Sequence, residues 1–503
     1  MVSEELWKKE KQQLGEILGF DASVPEEMLY SLLEDVNYRQ HVFVSRNVPH
    51  FLEHLRKHPT VSELSMPQKQ AKDEMKQLIR HYETVIPSLM RKEKYQIRYG
   101  KYLEINERRG ESCRSCNMVQ PDDFREVYMD YNSTTMLSPG VANVMKAYVE
   151  GVYGFENPGS ITVQGDYAAE LVQKARREVA EVIHAEPEEI YFTGSGSEAN
   201  NMAIKGIALQ HLERKGHIIA TKMEHSSVLE TVCYLEEIGF SVTYLEPDGE
   251  GRIEAMSVAK AIREDTILVA VMAANNEIGT IYPVQEIAEV CERAEVPFLT
   301  DAVQAFGKIP LDANRMKFTM LSCSAHKIHG PKGIGALYIR KGTKLIPLVH
   351  GGGQERGLRS GTENVGQIIA MGTAAREAAE NMEEDRRKLK SLTKKLSDGI
   401  QREVPDAVFF GPGKNRLDGM LSVGFPGISG NRLIRNLNQI GICASAGSAC
   451  SARKKAASHV LKAIGADNSN MAVIRFGMGR FSTEEDVQYV LRYISQVLAV
   501  SRK

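Results

Sequence analysis

The sequence predicts an α/β protein: a central parallel sheet wrapped by helices, followed by a smaller α+β C-terminal domain and preceded by an all-helical N-terminal domain. Three observations carry this. From about Tyr128, short apolar β-branched runs alternate with helix-period segments, the grammar of a parallel sheet with helical crossovers. After about residue 380 a charged helical stretch, EEDRRKLKSLTKKLSDGI, is followed by the short strands MLSVGFPG and MAVIRFG. Before about residue 110 glycine is sparse, charges alternate and apolar residues recur at helical spacing.

The elements follow in chain order. Segments such as EELWKKEKQQLGEIL and QAKDEMKQLIRHYETVIPSLM form the N-terminal helices, punctuated by Pro25, Pro59, Pro67 and Pro87. A basic stretch over 91–109 leads to Cys113 and Cys116. The helix GDYAAELVQKARREVAEVIHA puts Leu171, Ala175, Val179 and Val182 on one face. The strands EEIYFTG, HIIATKMEH, TILVAVMAA and VPFLTD come next, each running into glycine or polar residues. The expected domains are 1–115, helical; 127–384, large; and 385–503, small. No internal repeat or low-complexity tract interrupts them.

Composition narrows the function classes. The chain has 503 residues, enough for two or three domains and a large core. It is 42% hydrophobic and 25% charged, as ordinary globular proteins are. Lysine plus arginine number 63 against 65 acidic residues, a balance that argues against direct nucleic-acid binding. No apolar run approaches the roughly 18 residues of a membrane helix. The N-terminus, MVSEELWKKEKQQ, has no apolar signal core, and seven cysteines in this length do not make a disulfide scaffold. The expected setting is the cytoplasm, without a membrane partner.

In open α/β sheets ligands gather at the carboxyl ends of the strands, so the residues just past each strand are the site candidates. EEIYFTG runs into Gly194-Ser195-Gly196-Ser197 and then a helix, where free backbone N–H groups and the dipole suit a phosphate. The same residues satisfy GxGxxA, which leaves a Rossmann dehydrogenase open. That fold wants an acidic residue closing the next strand about 20 residues on, and here the strand ends later, at Lys222-Met223-Glu224-His225. His225 is placed to stack on a planar ring. Asn276, after TILVAVMAA, is placed to donate to a ring hydroxyl, against the plain reading of Asn275-Asn276 as a turn pair. Asp301 closes an apolar strand, and a buried carboxylate there needs a partner such as a protonated pyridine nitrogen. Gln304 follows three residues on. In SCSAHKIHGPKGIG, Lys327 sits beside His326 in a partly desolvated turn that lowers its proton affinity, the condition a Schiff-base lysine needs. A solvated loop lysine is the plainer reading. The ordered set of residues at successive strand ends outweighs it.

These residues stand in strings that resemble a known family: MDYNSTT, ENPGS, FTGSGSEANNMAIKG, TKMEH, NNEIG, DAVQAFGK, SAHKIHGPKGIGALYIRKG, HGGGQERGLRSGTENV, GSACSA and IRFGMGRF. From about residue 127 to the end the chain resembles class V pyridoxal-phosphate (PLP) enzymes of the aspartate-aminotransferase fold (fold type I), and within them the NifS/IscS-type cysteine desulfurases. The resemblance implies PLP as cofactor and L-cysteine as substrate. It implies that Gly196, Ser197, Ser324 and His326 bind the phosphate, with Thr362 reaching over from the other subunit of a homodimer. His225 would stack on the ring, Asn276 and Gln304 would contact its hydroxyl, Asp301 would pair with its nitrogen, and Lys327 would join its aldehyde. Arg475 would clamp the substrate carboxylate, with Asn157 assisting.

Cys450 decides the reaction. It lies in GICASAGSACSARKKAASHVLKAIG among small residues, with Arg453, Lys454 and Lys455 behind it favouring the thiolate. It is expected to take the substrate sulfur as a persulfide, release alanine and pass the sulfur to a protein acceptor. The loop SARKKAAS is more basic than the family's usual version, which points to a different acceptor. The chain stops at VLAVSRK, without the tail that IscS-type enzymes use to dock their scaffold. In the extension, Cys113 and Cys116 form a lone CxxC, a weak metal candidate or a sulfur relay from Cys450. His50, His54 and His58 share one helical face, which reads more simply as a solvated surface. A selenocysteine lyase or other cysteine lyase with the same cofactor is the nearest alternative, and Cys450→Ala separates them by abolishing cysteine turnover only in a desulfurase. A non-catalytic sulfur-carrier scaffold is the remote one, opposed by the intact set of Lys327, Asp301, His225, Arg475 and Cys450.

Overall fold

The computed structural model describes residues 121, 123–446, 458–466 and 470–502, all within the compact unit 110–503. Cys113, Cys116, Cys450, Arg453, Lys454, Lys455, His50, His54 and His58 lie outside the described residues.

The chain begins with β1 (Val127–Tyr128), α1 (Pro139–Val149) and α2 (Val163–Glu181). Strands and helices then alternate: β2 (Ile190–Thr193), α3 (Gly196–Ala208), β3 (His217–Thr221), α4 (Ser226–Glu237), β4 (Ser241–Leu245), α5 (Ala255–Ala261), β5 (Thr266–Ala270), α6 (Val284–Arg293), β6 (Phe298–Asp301), α7 (Ala313–Met316), β7 (Met320–Ser324) and β8 (Gly335–Ile339). After them come α8 (Val365–Glu403), β9 (Val408–Phe410), β10 (Met420–Pro426), α9 (Gly430–Gln439), β11 (Ile442–Cys443), α10 (His459–Ala463), β12 (Met471–Gly477) and α11 (Glu484–Arg502).

Seven strands form the main sheet in the order β2-β8-β7-β6-β5-β3-β4. The expectation of a parallel sheet holds for all but β8, which runs antiparallel to both β2 and β7. The reason is the short link over 325–334. It is too short for a crossover helix, so β8 must return beside β7 in the opposite sense. The strand order reverses direction between β3 and β5, the switch point where open sheets leave a crevice. Because β2, β3, β5, β6 and β7 point the same way, their carboxyl ends converge on one edge.

Two apolar layers cover this sheet. On one side Ala175 and Val179 of α2 pack with Ile369 and Ala374 of α8 and with Phe298 and Leu321 of the sheet. Leu171 and Val182, expected on the same face, are only partly buried against it. On the other side Ile204 of α3 and Val228 and Val232 of α4 meet Ile218 and Leu268. Each fully buried aliphatic side chain of this kind contributes about 1.5–3 kcal/mol.

A separate smaller core gathers Leu392, Leu396 and Ile400 of α8, Leu421 and Val423 of β10, Ile474 and Phe476 of β12, and Val490 and Ile494 of α11. The charged stretch read as its opening helix is the second half of α8, a continuous helix of 39 residues. Val127 and Met129 also lie in this smaller core, because β1 pairs in parallel with β11. The strand that opens the α/β region in sequence thus belongs in space to the C-terminal layer.

Candidate active site

The helix α3 begins where β2 ends. Ser195 is its N-cap, accepting from Glu198 N over 3.1 Å. Glu198 in turn accepts from Gly194 N at 2.8 Å and from Arg359 Nε at 2.7 Å. The N–H groups of Gly196 and Ser197 therefore sit at a tied-down helix N-terminus. The approach is close: a Cβ on Gly196 would come within 2.6 Å of Val303 Cγ2. A Cβ on Gly335 of β8 would lie 2.7 Å from the Ser195 carbonyl carbon and 2.9 Å from Gly196 N. Ser324, buried at the end of β7, borders the same turn.

Asp301 is the last residue of β6 and is buried. Its Oδ2 accepts from Asn200 Nδ2 at 2.7 Å and its Oδ1 from Val303 N at 2.9 Å. Among the described residues no cation forms an ion pair with it. Asn200 Nδ2 also donates to Ser227 Oγ at 2.9 Å, and Ser227 Oγ lies 2.8 Å from His225 Nδ1. Nδ1 accepts from Ser227 N as well, so the imidazole proton falls on Nε2. His225 does not end its strand, as the sequence suggested, but caps α4 four residues beyond β3. Burial lowers its proton affinity, with Lys327 and His459 acting the same way and Asp301 opposing.

Lys327 closes the short turn after β7. Its amine donates to the carbonyls of Asn132 at 2.6 Å and Ser133 at 2.8 Å. His326 Nδ1 lies 3.2 Å from Thr134 Oγ1, and the His326 carbonyl accepts from Thr135 N at 2.9 Å. The segment 130–135 thus lies across the lysine turn. Burial, then the charges of Lys327, Lys332 and Lys308, push His326 down to about 4, so its ring is neutral at physiological pH.

Gln304 is buried, donating from Nε2 to Asn132 O at 2.9 Å and accepting at Oε1 from Asn132 Nδ2 at 3.3 Å and Lys308 Nζ at 3.4 Å. Arg475, on β12, is buried too. Its Nη1 donates to Asn276 O at 2.7 Å, and its Nη2 to Asp130 Oδ1 at 2.9 Å and Ser133 Oγ at 2.6 Å. Its Nε, a buried donor, meets no acceptor among the described residues. Past the undescribed 447–457, Ser458 Oγ donates to Glu277 Oε2 at 2.5 Å, next to Asn276.

The structure therefore brings together Gly196, Ser197, His225, Asn276, Asp301, Gln304, Ser324, His326, Lys327 and Arg475. It does not bring Asn157 or Thr362 among them. Asn157 is exposed, with its Oδ1 capping Gly159 N at 2.9 Å, and Thr362 is exposed in the loop before α8. Residue-by-residue reading overlooked Asp130, Asn132, Ser133, Asn200, Ser227 and Lys308. The polar run after MD and the doubled asparagine on the inner side of α3 were the signals for most of them.

PLP fits this donor set. A helix N-terminus free of side-chain bulk suits its phosphate, a neutral imidazole lies alongside, and a lysine amine suits its aldehyde. Asp301, buried and without a cation among the described residues, suits its ring nitrogen.

The comparisons agree. The family model described as Aminotransferase class-V matches residues 127–490. Cysteine desulfurase IscS of Clostridium botulinum is 43% identical over 382 residues, covering 75% of this chain and 96% of that protein. The mitochondrial cysteine desulfurase of Candida albicans is 43% identical over 385 residues, 75% of this chain and 78% of its own. A solved NifS-like protein superposes with a TM-score of 0.70 at 39% identity, over 75% of this chain and all of its own. SspA in complex with cysteine superposes at 0.62 with 36% identity, over 71% of this chain. Its fold is that of the PLP-dependent transferases, and the chain belongs to the class V aminotransferase family of PLP enzymes, among the NifS/IscS-type members.

Proposed function

We propose that this chain is a cysteine desulfurase: it converts L-cysteine to L-alanine and takes the sulfur onto Cys450. The observation that carries the reading is the convergence of three groups on one strand-end crevice. These are an amine on Lys327, a buried carboxylate on Asp301 that meets no cation among the described residues, and a buried guanidinium on Arg475 whose Nε meets no acceptor among them. Relatives named as cysteine desulfurases share 43% of the aligned residues.

When bound, PLP supplies an aldehyde that captures the substrate amine and a ring that accepts electrons released at Cα. Gly196, Ser197, Ser324 and His326 would hold its phosphate, and His225 would stack on the ring. Asn276 and Gln304 would meet its hydroxyl, and Asp301 its nitrogen. Arg475, through Nε, would orient the substrate carboxylate. The Lys327 amine, when free, would be the base that moves the α-proton. The thiolate of Cys450 forms a bond to the substrate sulfur while the substrate C–S bond breaks. The electron pair stays on the carbon skeleton, which takes a proton and leaves as alanine.

In this reading residues 127–384 form the cofactor domain, 385–503 the small domain with the Cys450 loop, and 1–115 a helical partner-binding or sulfur-relay module. The enzyme acts as a cytoplasmic homodimer. Val149, Val152, Phe155, Ile161 and Val163 are exposed within a short stretch, an apolar surface suited to a second copy. Thr362 of the partner subunit would complete the phosphate cradle. The persulfide sulfur goes to a protein acceptor serving iron–sulfur cluster assembly, tRNA thiolation or another sulfur-requiring synthesis. Among the described residues no helix is long and apolar enough to cross a membrane.

Mass spectrometry of the purified protein after cysteine addition tests the reading. One added sulfur atom mapped to Cys450, with stoichiometric alanine, is expected. A protein that stays colourless with PLP, or one that forms alanine without sulfur on any cysteine, refutes it.

A further inference from the structure

The neutral state of His326 removes the imidazole as the source of positive charge beside Lys327. A second lysine, Lys308, is close enough for the charge of Lys327 to act on it. Lys308 lies in the turn after β6, seven residues beyond Asp301, and shares Gln304 Oε1 with Asn132 Nδ2. Part of its surface is exposed, but its amine is directed inward, onto the buried Gln304 Oε1 at 3.4 Å. The opposite end of the same amide donates to Asn132 O, the carbonyl that accepts from Lys327 Nζ at 2.6 Å. Two lysine amines are thus joined through one side-chain amide and one peptide carbonyl.

The groups acting on Lys308 are all of one sign. Burial pushes its amine down to about 7, and Lys327 and Arg475 push the same way. Its own charge bears on His326 and His329, lowering both. The nearby carboxylates are committed elsewhere, Asp130 to Arg475 and Asp301 to Asn200. Coulombic repulsion between two sites is mutual, so whatever Lys327 does to Lys308 is returned.

We propose that Lys308 is a positioning residue for the reaction: through Gln304 it fixes the hydroxyl-side amide, and by its charge it lowers the proton affinity of the nitrogen carried by Lys327. The consequence is a site in which the Lys327 nitrogen sheds its proton more readily, ready both to bind the cofactor aldehyde and to accept the α-proton. The inference rests on the reading of Lys327 as the cofactor lysine.

The test is the pH midpoint of the visible absorbance of PLP-loaded enzyme, without substrate, in Lys308→Met and Lys308→Arg. Removing the charge raises the midpoint; making it permanent lowers it. The expected order is Met above wild type above Arg, with at least half a unit between the extremes. A local packing defect has no reason to move two variants in opposite directions. A smaller spread, or the reverse order, overturns the proposal. If Lys308→Met does not fold, Arg against wild type carries the test: a lower midpoint supports the proposal and an equal or higher one overturns it. Failure of the underlying reading looks different, because no pH-dependent visible band then forms in the wild type either.

Discussion

Asn200 Nδ2 donates to Asp301 Oδ2 over 2.7 Å and also to Ser227 Oγ at 2.9 Å, so one buried amide joins the carboxylate at the end of β6 to the histidine that caps α4. A donor fixed on a buried carboxylate replaces a hydrogen bond that water would otherwise make and holds the group in one orientation. Removing a donor from a buried charged group costs about 1–3 kcal/mol. Asn200→Ala is therefore expected to weaken PLP binding by roughly 10- to 100-fold, read by absorbance titration of the apoprotein. Unchanged affinity would detach Asn200 from the site.

Gly335 is on β8 and is not itself proposed to touch the cofactor, yet its Cα backs directly onto the α3 N-terminus and it pairs with Ser324. A methyl group there would meet three backbone atoms at 2.7–2.9 Å. Backbone cannot swing aside as a side chain can. Gly335→Ala is expected to destabilise the fold by about 1–3 kcal/mol and to loosen PLP, since the Gly196 and Ser197 amides would shift. Thermal unfolding with and without cofactor measures both effects. A variant with native melting temperature and native PLP affinity would contradict the account.

Glu224 is buried between β3 and β5, its Oε1 accepting from Met272 N at 3.0 Å and Thr221 Oγ1 at 2.8 Å. Its Oε2 has no partner among the described residues. Burial pushes its carboxyl from 4.5 up to about 8. Between those values the folded chain keeps a proton that the unfolded chain has released, so stability falls as pH rises from about 5 to 8. Glu224→Gln keeps the acceptor and removes the titration. The melting temperature of the variant relative to wild type should rise steadily across that window. A pH-independent difference would mean that Glu224 is already ionised in the fold.

Much of the site was readable in the sequence because strand ends mark it. Asp301, Ser324 and Lys327 follow apolar runs directly, and a parallel sheet must bring such ends to one edge. His225 was placed at the right crevice but in the wrong local setting, since the apolar residue Met223 made the strand look longer than it is. Asn200 and Asn132 escaped because each acts on a residue distant in the chain. Asn200 is 101 residues from Asp301, and Asn132 is 195 from Lys327.

Periodicity and turn chemistry are local, so the amino-acid order alone sufficed for the alternation of strands and helices, the smaller C-terminal layer, the family and its cofactor, and the identity of the strand-end residues. Long-range closure is not local. The reversed course of β8, the transfer of β1 to the small core, and the single unbroken α8 serving both cores depend on which surfaces find partners once the chain is compact. The same holds for the site's electrostatics: which charges neutralise one another, and which stand alone beside Lys327, is settled by distances that only the folded chain creates.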